Sequence, residues 1–266
     1  MPINLSKFAW ERARKVNRIP GAHAFYRVVT GLIYWNGRTV TISRGPGAGL
    51  RWRHYSQYQP WMAIGLYEPH VANLIVSLLR PGDVFYDIGA NAGYYTLLSA
   101  LAVGPEGSVI AFDPVPQNAG TVREQIALNG LQPTCRVEEV AIAGQGGTLS
   151  FVVDSINANS HLSDWHAPSL SNDGQKIAVR AITLDEYVRS HPRPSVIKMD
   201  IEGAELEALL GARELLSDDD APVMLVSTHS KNLDEECKAL LSEYGYVFHN
   251  LRGFEQMIHA TKSPRA

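Results

Sequence analysis

Cysteine is nearly absent: Cys135 and Cys237 are the only two in 266 residues, and they lie far apart. That excludes a disulfide-stapled scaffold and any cysteine-based metal site, and fits a reduced, cytoplasmic protein. Long hydrophobic runs are missing too. No stretch of about 18 apolar residues occurs, so no spanning helix is expected. The first residues carry Lys7, Arg12, Arg14, Lys15 and Arg18 but no apolar core of a secretion signal. A solvated basic helix fits them better than a membrane-surface one. Charge of one sign is also lacking: the formal net charge is −3, and nothing global attracts nucleic acid. There is no internal repeat and no low-complexity segment.

What remains is the composition of a folded domain, 45% hydrophobic and 19% charged. The length suits one large α/β domain with a small addition. Residues 1–65 read as a helix plus a small antiparallel unit, for substrate or oligomer contacts. "YWNGRTVTIS" signals a hairpin around Asn36-Gly37, and "RGPGAGLRWRHY" a glycine-rich loop returning to a strand. Residues 66–266 form the main domain. There, apolar strands alternate with striped helices: "DVFYDIGA", "SVIAFDP", "CRVEEVAI", "SVIKMD" and "PVMLVSTH" are separated by helices such as "AGYYTLLSALAV" and "AELEALLGARELL". That alternation means βαβ units and a parallel, doubly wound sheet. Between the third and fourth of these strands, "GTLSFVVD" and "KIAVRAIT" read as further strands flanking a polar inserted loop at 155–175. A loop so long is usually functional or disordered. Thr183 and Glu186 make a capping-box pattern before a short helix.

The first chemical motif is "DIGANAG", Asp87 to Gly93, where the first strand meets its helix. Ligands of doubly wound sheets sit at such carboxyl ends. Gly89 and Gly93 allow a tight turn and close approach of a ligand. The next strand ends in Asp113, twenty residues after Gly93, where a carboxylate can accept both hydroxyls of a ribose. A nucleoside ligand follows. The turn lacks the G-x-G-x-x-G spacing of dinucleotide binders: Asn91 stands at its middle position, and Asp87 precedes its first glycine. An acid beside a pyrophosphate is repelled, whereas one beside a sulfonium and an ammonium is favoured. The cofactor expected is S-adenosylmethionine, not a nicotinamide.

"VFYDIGANAGYYT", "AFDPVPQN", "IALNGL", "TLDEY" and "IKMDIEGAELEALLGA", with the upstream "LYEP", occur in the order found in FkbM-type S-adenosylmethionine-dependent methyltransferases, which this chain resembles over about residues 65–250. The resemblance implies a class I methyltransferase, Rossmann-like fold of seven strands with the last antiparallel. It implies methyl transfer, most often to a hydroxyl of a sugar, polyketide or other natural product. It adds Thr96 to the cofactor-binding residues Asp87, Gly89, Asn91, Gly93 and Asp113. It also brings Tyr67 and Glu68 over the methionine end of the cofactor. Two departures stand out. Asp113 replaces a commoner Glu, and Ser227 occupies the acid position of a Glu-x-His ending on the fifth strand, while His229 is kept.

In such a fold the fourth strand lies beside the first, so its end borders the cofactor. Lys198 and Asp200 share one face and can pair. Glu202, in the turn, favours a cationic cofactor or shapes the acceptor site. Glu205 suits a helix N-terminus. The catalytic residues expected are Lys198, Asp200 and His229. His229, near its reference pKa of about 6.5, or a Lys198 whose pKa burial has lowered, takes the acceptor's proton, and Asp200 orients it. His161, in the inserted loop, is a second rim candidate. The alternative is a divalent ion, magnesium by preference, on Asp200 and His229. With Ser227 in the acid's place that ligand set is thin, so the metal-free version is preferred and no metal ligand is assigned. The expected partners are a small-molecule or glycan hydroxyl acceptor and a second copy of the chain, with no nucleic acid and no membrane span. The competing functions are a nicotinamide-dependent oxidoreductase, a nucleic-acid methyltransferase and a non-catalytic S-adenosylmethionine-binding protein. The strand-four end "MDIEG" lacks the Asn/Asp-Pro-Pro-aromatic motif of base-amino methylases.

Overall fold

The computed structural model describes residues 36–153, 160–162, 175–250 and 257–262. The basic segment at the start and most of the 155–175 loop lie outside the described residues. The chain opens with β1 (Thr39–Thr41) and β2 (Arg51–Arg53), then a 3-10 turn at Pro60–Ile64 and α1 (Pro69–Leu78). The alternating series follows: β3 (Val84–Ile88), α2 (Tyr94–Val103), β4 (Ser108–Phe112), α3 (Pro116–Leu128) and β5 (Cys135–Glu138). Next come β6 (Ala141–Ile142), β7 (Gly147–Val153), β8 (Ser160–Leu162), β9 (Gln175–Ile182) and α4 (Leu184–Val188). The series resumes with β10 (Val196–Met199), α5 (Glu205–Leu210), α6 (Arg213–Ser217), β11 (Val223–Ser227), α7 (Lys231–Glu243), β12 (Tyr246–His249) and β13 (Met257–Lys262).

Seven strands form the main sheet in the order β12-β13-β11-β10-β3-β4-β5. From β11 to β5 neighbours run parallel, and β13 enters antiparallel between β11 and β12. This is the class I methyltransferase arrangement. The chain winds from β3 outward one way, then returns to β10 and winds the other way. A crevice therefore opens at the carboxyl ends of β3 and β10. Alternation along each strand builds two apolar layers. Phe85, Val109, Ala111, Val196 and Leu225 face α1 and α2, together with Ile75, Leu97 and Leu98. Tyr86, Ile88, Ile110, Ile197, Met199 and Val226 face the opposite side with Leu209, Leu216 and Leu241. Asp87 and Lys198 fall on the first face as register partners, so the strand period alone sets them side by side.

Several local expectations need correction. β1 pairs with β2 across the glycine-rich loop, and Gly37 N–H donates to His54 O at the far end of that pair; the first run of the hairpin expected around Asn36-Gly37 lies outside the described residues. The packing of the pair is not separate: Ile42, Leu50, Trp52, Tyr58 and Met62 join the layer on α2. The strand expected at "CRVEEVAI" splits into β5 and β6, and β6 leaves the main sheet to pair with β9 in a second sheet, β6-β9-β7-β8. Part of the expected inserted loop is strand as well: Ser160–Leu162 pairs with Phe151–Val153. The helix expected at "AELEALLGARELL" breaks into α5 and α6 at Gly211, whose Cα packs against the backbone of Ala143. The capping box forms as expected, with Thr183 Oγ1 accepting from Glu186 N–H and Glu186 Oε2 accepting from Thr183 N–H. Among the described residues no helix is long and apolar enough to cross a membrane.

A Cβ at Gly211 would lie 2.2 Å from Ala143 O, which is backbone and cannot swing away. Gly211→Ala should therefore cost about 1–3 kcal/mol, the range for overpacking. The check is a lower denaturant midpoint at unchanged m-value.

Candidate active site

A cavity of ≈ 330 Å³ lies at the carboxyl ends of β3, β4 and β10. That is within the range of small-molecule sites, about 300–1,000 Å³. Of the residues singled out in the sequence, Glu68, Gly89, Asn91, Asp113, Lys198, Asp200, Glu202 and His229 line it, as does Tyr67. Asp87, Gly93 and Thr96 do not; Asp87 and Thr96 are buried. Asp87 is wholly buried and accepts a hydrogen bond from Thr96 Oγ1 at 2.6 Å, and its Oδ1 has no hydrogen-bond partner. His161 falls in β8, and its side chain lies outside what is described.

The loop after β3 is shaped by positive φ at Gly89, Asn91 and Gly93. At Gly89 the requirement is close approach: a Cβ there would sit 1.9 Å from Asp200 O, so glycine lets the ends of β3 and β10 meet. Among the described residues, the non-glycine residues with positive φ are Glu68, Asn91 and Glu202, and all three line the cavity. Backbone strain concentrated at one pocket is typical of a functional site.

Asp113, at the end of β4, accepts from Asn91 N–H (2.8 Å), Val115 N–H (3.0 Å) and Asn118 Nδ2 (3.2 Å). The Asn118 amide also reaches Oδ1 at 3.3 Å, so one side-chain donor spans both oxygens and is the contact a ribose hydroxyl would share or displace. Burial outweighs these bonds and pushes its pKa up to about 7. Across the cavity, Lys198 Nζ lies 3.4 Å from Asp200 Oδ2 and 5.2 Å from the centroid of the Tyr95 ring. Burial alone would lower the Lys198 pKa, but Asp200, Asp87 and Glu68 outweigh it and hold it above the usual value. Burial raises Asp200 too, yet Lys198 and His229 prevail and hold it well below the carboxylate range. Burial raises Glu68, whose Oε2 accepts from Tyr95 Oη at 2.5 Å.

His229, two residues beyond β11, sits among three carboxylates. Its Nε2 is 3.2 Å from Asp200 Oδ1 and 3.4 Å from Glu205 Oε1, and its Nδ1 is 3.6 Å from Glu202 Oε2. Burial would lower its pKa; Asp200 and Glu205 reverse that and push it up to about 10. The expectation of a near-reference histidine base therefore needs correction. In this surrounding both His229 and Lys198 are cations at neutral pH and hold no free lone pair for a proton. Glu202 differs: burial raises its pKa despite His229, and it faces the cavity.

The sequence singled out none of the residues of the opposite wall, although residues 1–65 were expected to make substrate or oligomer contacts. That wall comprises Gln57, Tyr58, Gln59 and Met62 from the first segment, and Leu149 and Phe151 from the second sheet. Tyr58 Oη donates to Asn118 Oδ1 at 2.8 Å, fastening that wall to α3. Tyr55 and Tyr58, three residues apart, were the available signal.

The family model for the methyltransferase FkbM domain matches residues 87–248. Three relatives are similar in sequence. One is the hexuronic acid methyltransferase AglP of Haloferax volcanii, 26% identical over 209 residues, covering 77% of this chain and 81% of the relative. Another is the 2-O-methyltransferase NoeI of Sinorhizobium fredii, 29% identical over 160 residues, covering 54% and 63%. The third is the ribosomal RNA small subunit methyltransferase G of Mycolicibacterium vanbaalenii, 31% identical over 134 residues, covering 48% and 59%. The chain thus spans less than two thirds of the length of the last two.

Lys198 is the cation that makes this acidic floor tolerable. Lys198→Met should cost about 3–5 kcal/mol, the range for removing one partner of a buried pair. Thermal unfolding by calorimetry checks it; an unchanged midpoint would mean the neighbouring carboxylates are neutral without the lysine.

Proposed function

The chain belongs to the FkbM methyltransferase family, and we propose that it is an S-adenosylmethionine-dependent O-methyltransferase acting on a hydroxyl of a sugar or related natural product. The observation that carries this is the charge of the cavity. Glu68, Asp113, Asp200 and Glu202 line it against Lys198 and His229, with Asp87 and Glu205 buried behind. Such a wall suits a ligand bearing a sulfonium and an ammonium, and opposes a pyrophosphate. That disfavours a nicotinamide cofactor. It equally disfavours a polyanionic RNA acceptor, despite the rRNA-modifying relative. The relatives named for hexuronic acid and 2-O methylation support oxygen as the methylated atom.

When bound, S-adenosylmethionine supplies an electrophilic methyl group on sulfur. Asp113 accepts the ribose hydroxyls, and the Gly89–Asn91 turn lets the ligand approach the backbone. Asp200, fixed by Lys198, and Glu68, fixed by Tyr95, set the negative potential around the cationic end. The acceptor hydroxyl is a poor nucleophile until its proton leaves. Glu202 takes that proton: burial raises its pKa and makes it the better base of the two, while Lys198 and His229 hold Asp200 more acidic. The acceptor oxygen gains the methyl as the methyl–sulfur bond breaks and leaves a neutral thioether, and the acceptor's proton passes to Glu202 and then to solvent.

Two measurements check these roles. Cofactor affinity, read by calorimetry, should climb as pH rises through about 7, where Asp113 loses its proton, and level off above it. Asp113→Asn should weaken binding by about 1.5–3 kcal/mol and remove that part of the slope. Equal slopes in parent and variant would detach Asp113 from the ribose. Turnover on a panel of sugar and polyketide hydroxyls, with the product's O-methyl signal read by NMR, tests the reaction itself. There, Glu202→Gln should lower kcat by about 10²–10⁴-fold at nearly constant cofactor affinity. Methylation at nitrogen or carbon only would overturn the assignment to oxygen.

A further inference from the structure

Asp200, Glu205 and His229 come from three elements: the end of β10, the first turn of α5 and the loop after β11. Each offers one ligand atom, and the three atoms lie within 4.8 Å of one another. A single imidazole nitrogen, Nε2, faces both carboxylates, at 3.2 Å and 3.4 Å. Adjacent ligands around an octahedral ion with bonds of about 2.1–2.3 Å lie about 3.0–3.3 Å apart, close to these spacings.

Three further observations point to a ligand. The Glu205 side chain is wholly buried: Oε1 accepts from Ile201 N–H (2.9 Å) and Gly203 N–H (3.3 Å), whereas Oε2 has no hydrogen-bond partner. A buried carboxylate with an unsatisfied oxygen is costly unless a charge meets it. The local charge is also unbalanced. Asp200, Glu202 and Glu205 outnumber Lys198 and His229 by one, before Asp87 and Glu68, which also act on Lys198, are counted. Finally, Glu202 Oε2 lies 3.6 Å from His229 Nδ1. A carboxylate on that side favours the tautomer protonated at Nδ1, which frees the Nε2 lone pair, and metal-binding histidines are commonly held this way.

We propose that Asp200, Glu205 and His229 hold a divalent cation through two carboxylates and one imidazole. Oxygen-dominated sites favour magnesium and manganese, and the imidazole tilts the choice toward manganese. Asp200, Glu202 and His229 line the cavity while Glu205 does not, so the protein closes the ion from behind and leaves its cavity side open. The ion's role rests on the function proposed above: it binds the acceptor oxygen and lowers the hydroxyl's pKa, and Glu202 receives the proton. With the ion bound, His229 is a neutral ligand, which resolves why a histidine sits among three acids.

The test is a Mn²⁺ titration of the full chain after chelator treatment, read by the EPR signal of free Mn²⁺ and by calorimetry. One Mn²⁺ per chain is expected, with affinity reduced at least tenfold in His229→Ala and in Glu205→Gln. S-adenosylmethionine affinity, measured on the same samples, should stay within about threefold. His229→Gln, at the accessible rim, serves if Glu205→Gln does not fold. Absence of saturable Mn²⁺, Mg²⁺ or Zn²⁺ binding at millimolar metal would overturn the site and leave an imidazolium bridging two carboxylates. Binding unaffected by these substitutions would overturn it too. Metal binding without S-adenosylmethionine binding would instead defeat the function proposed above and leave the metal site standing.

Discussion

Everything at the carboxyl edge of the sheet depends on one buried cation. Lys198 stands in the middle strand of the crevice, with a side chain 4% exposed. A lone ammonium there would lose its proton. It keeps it because Asp87 is its register partner on β3, Asp200 follows it on its own strand, and Glu68 adds its charge. The dependence is mutual. Asp200 stays ionised through Lys198, and an ionised Asp200 then holds His229 in place. Around this network, Tyr95 gives Lys198 an aromatic face and binds Glu68 through its hydroxyl. Partnering of this kind is what makes a buried polar network stable; two of its carboxylate oxygens, Asp87 Oδ1 and Glu205 Oε2, have no hydrogen-bond partner within the protein.

The order of strands and the main motifs were legible because they are local. Val196 to Met199 is an apolar run interrupted by one charge, and its period of two placed Lys198 and Asp200 on one face without any structure. The glycines of the β3 loop marked a turn, and the turn is there. What stayed hidden was set by contacts distant in sequence. β6 leaves the main sheet because β9, some forty residues later, offers it an edge. The break between α5 and α6 depends on Ala143 pressing against Gly211, and no helix propensity records that. The three polar residues that strain their backbones look ordinary in the sequence; only Glu68, before a proline, had a boundary signal.

His229 is the clearest case of a residue whose chemistry cannot be read from its type. Its position at a strand end was foreseeable, and so was its proximity to Asp200. Its charge state was not, since that follows from Glu205 on α5 as well as Asp200 on β10. Two carboxylates facing one ring nitrogen turn a near-neutral base into a cation, or into a metal ligand. The reference pKa describes neither. Glu205 was read as a helix-cap residue, and it does accept backbone N–H groups at the start of α5. The same carboxylate reaches His229, so one residue both shapes the turn and charges the site.

The walls of the cavity divide by origin. The charged wall comes from Lys198 within β10, from the loops that follow β4, β10 and β11, and from Glu68 before α1. The opposite wall comes from the 57–62 segment and from Leu149 and Phe151 of the second sheet, and it is mostly neutral and aromatic or aliphatic. Rigid placement is what proton transfer and alignment of reacting atoms require. An apolar wall on shorter elements requires only complementary shape, and its contacts distinguish acceptors by a methylene or a ring face. On the function proposed above, the charged wall serves reaction and cofactor and the neutral wall the choice of acceptor. Tyr58 joins the two, since its hydroxyl bonds Asn118 and Asn118 in turn bonds Asp113.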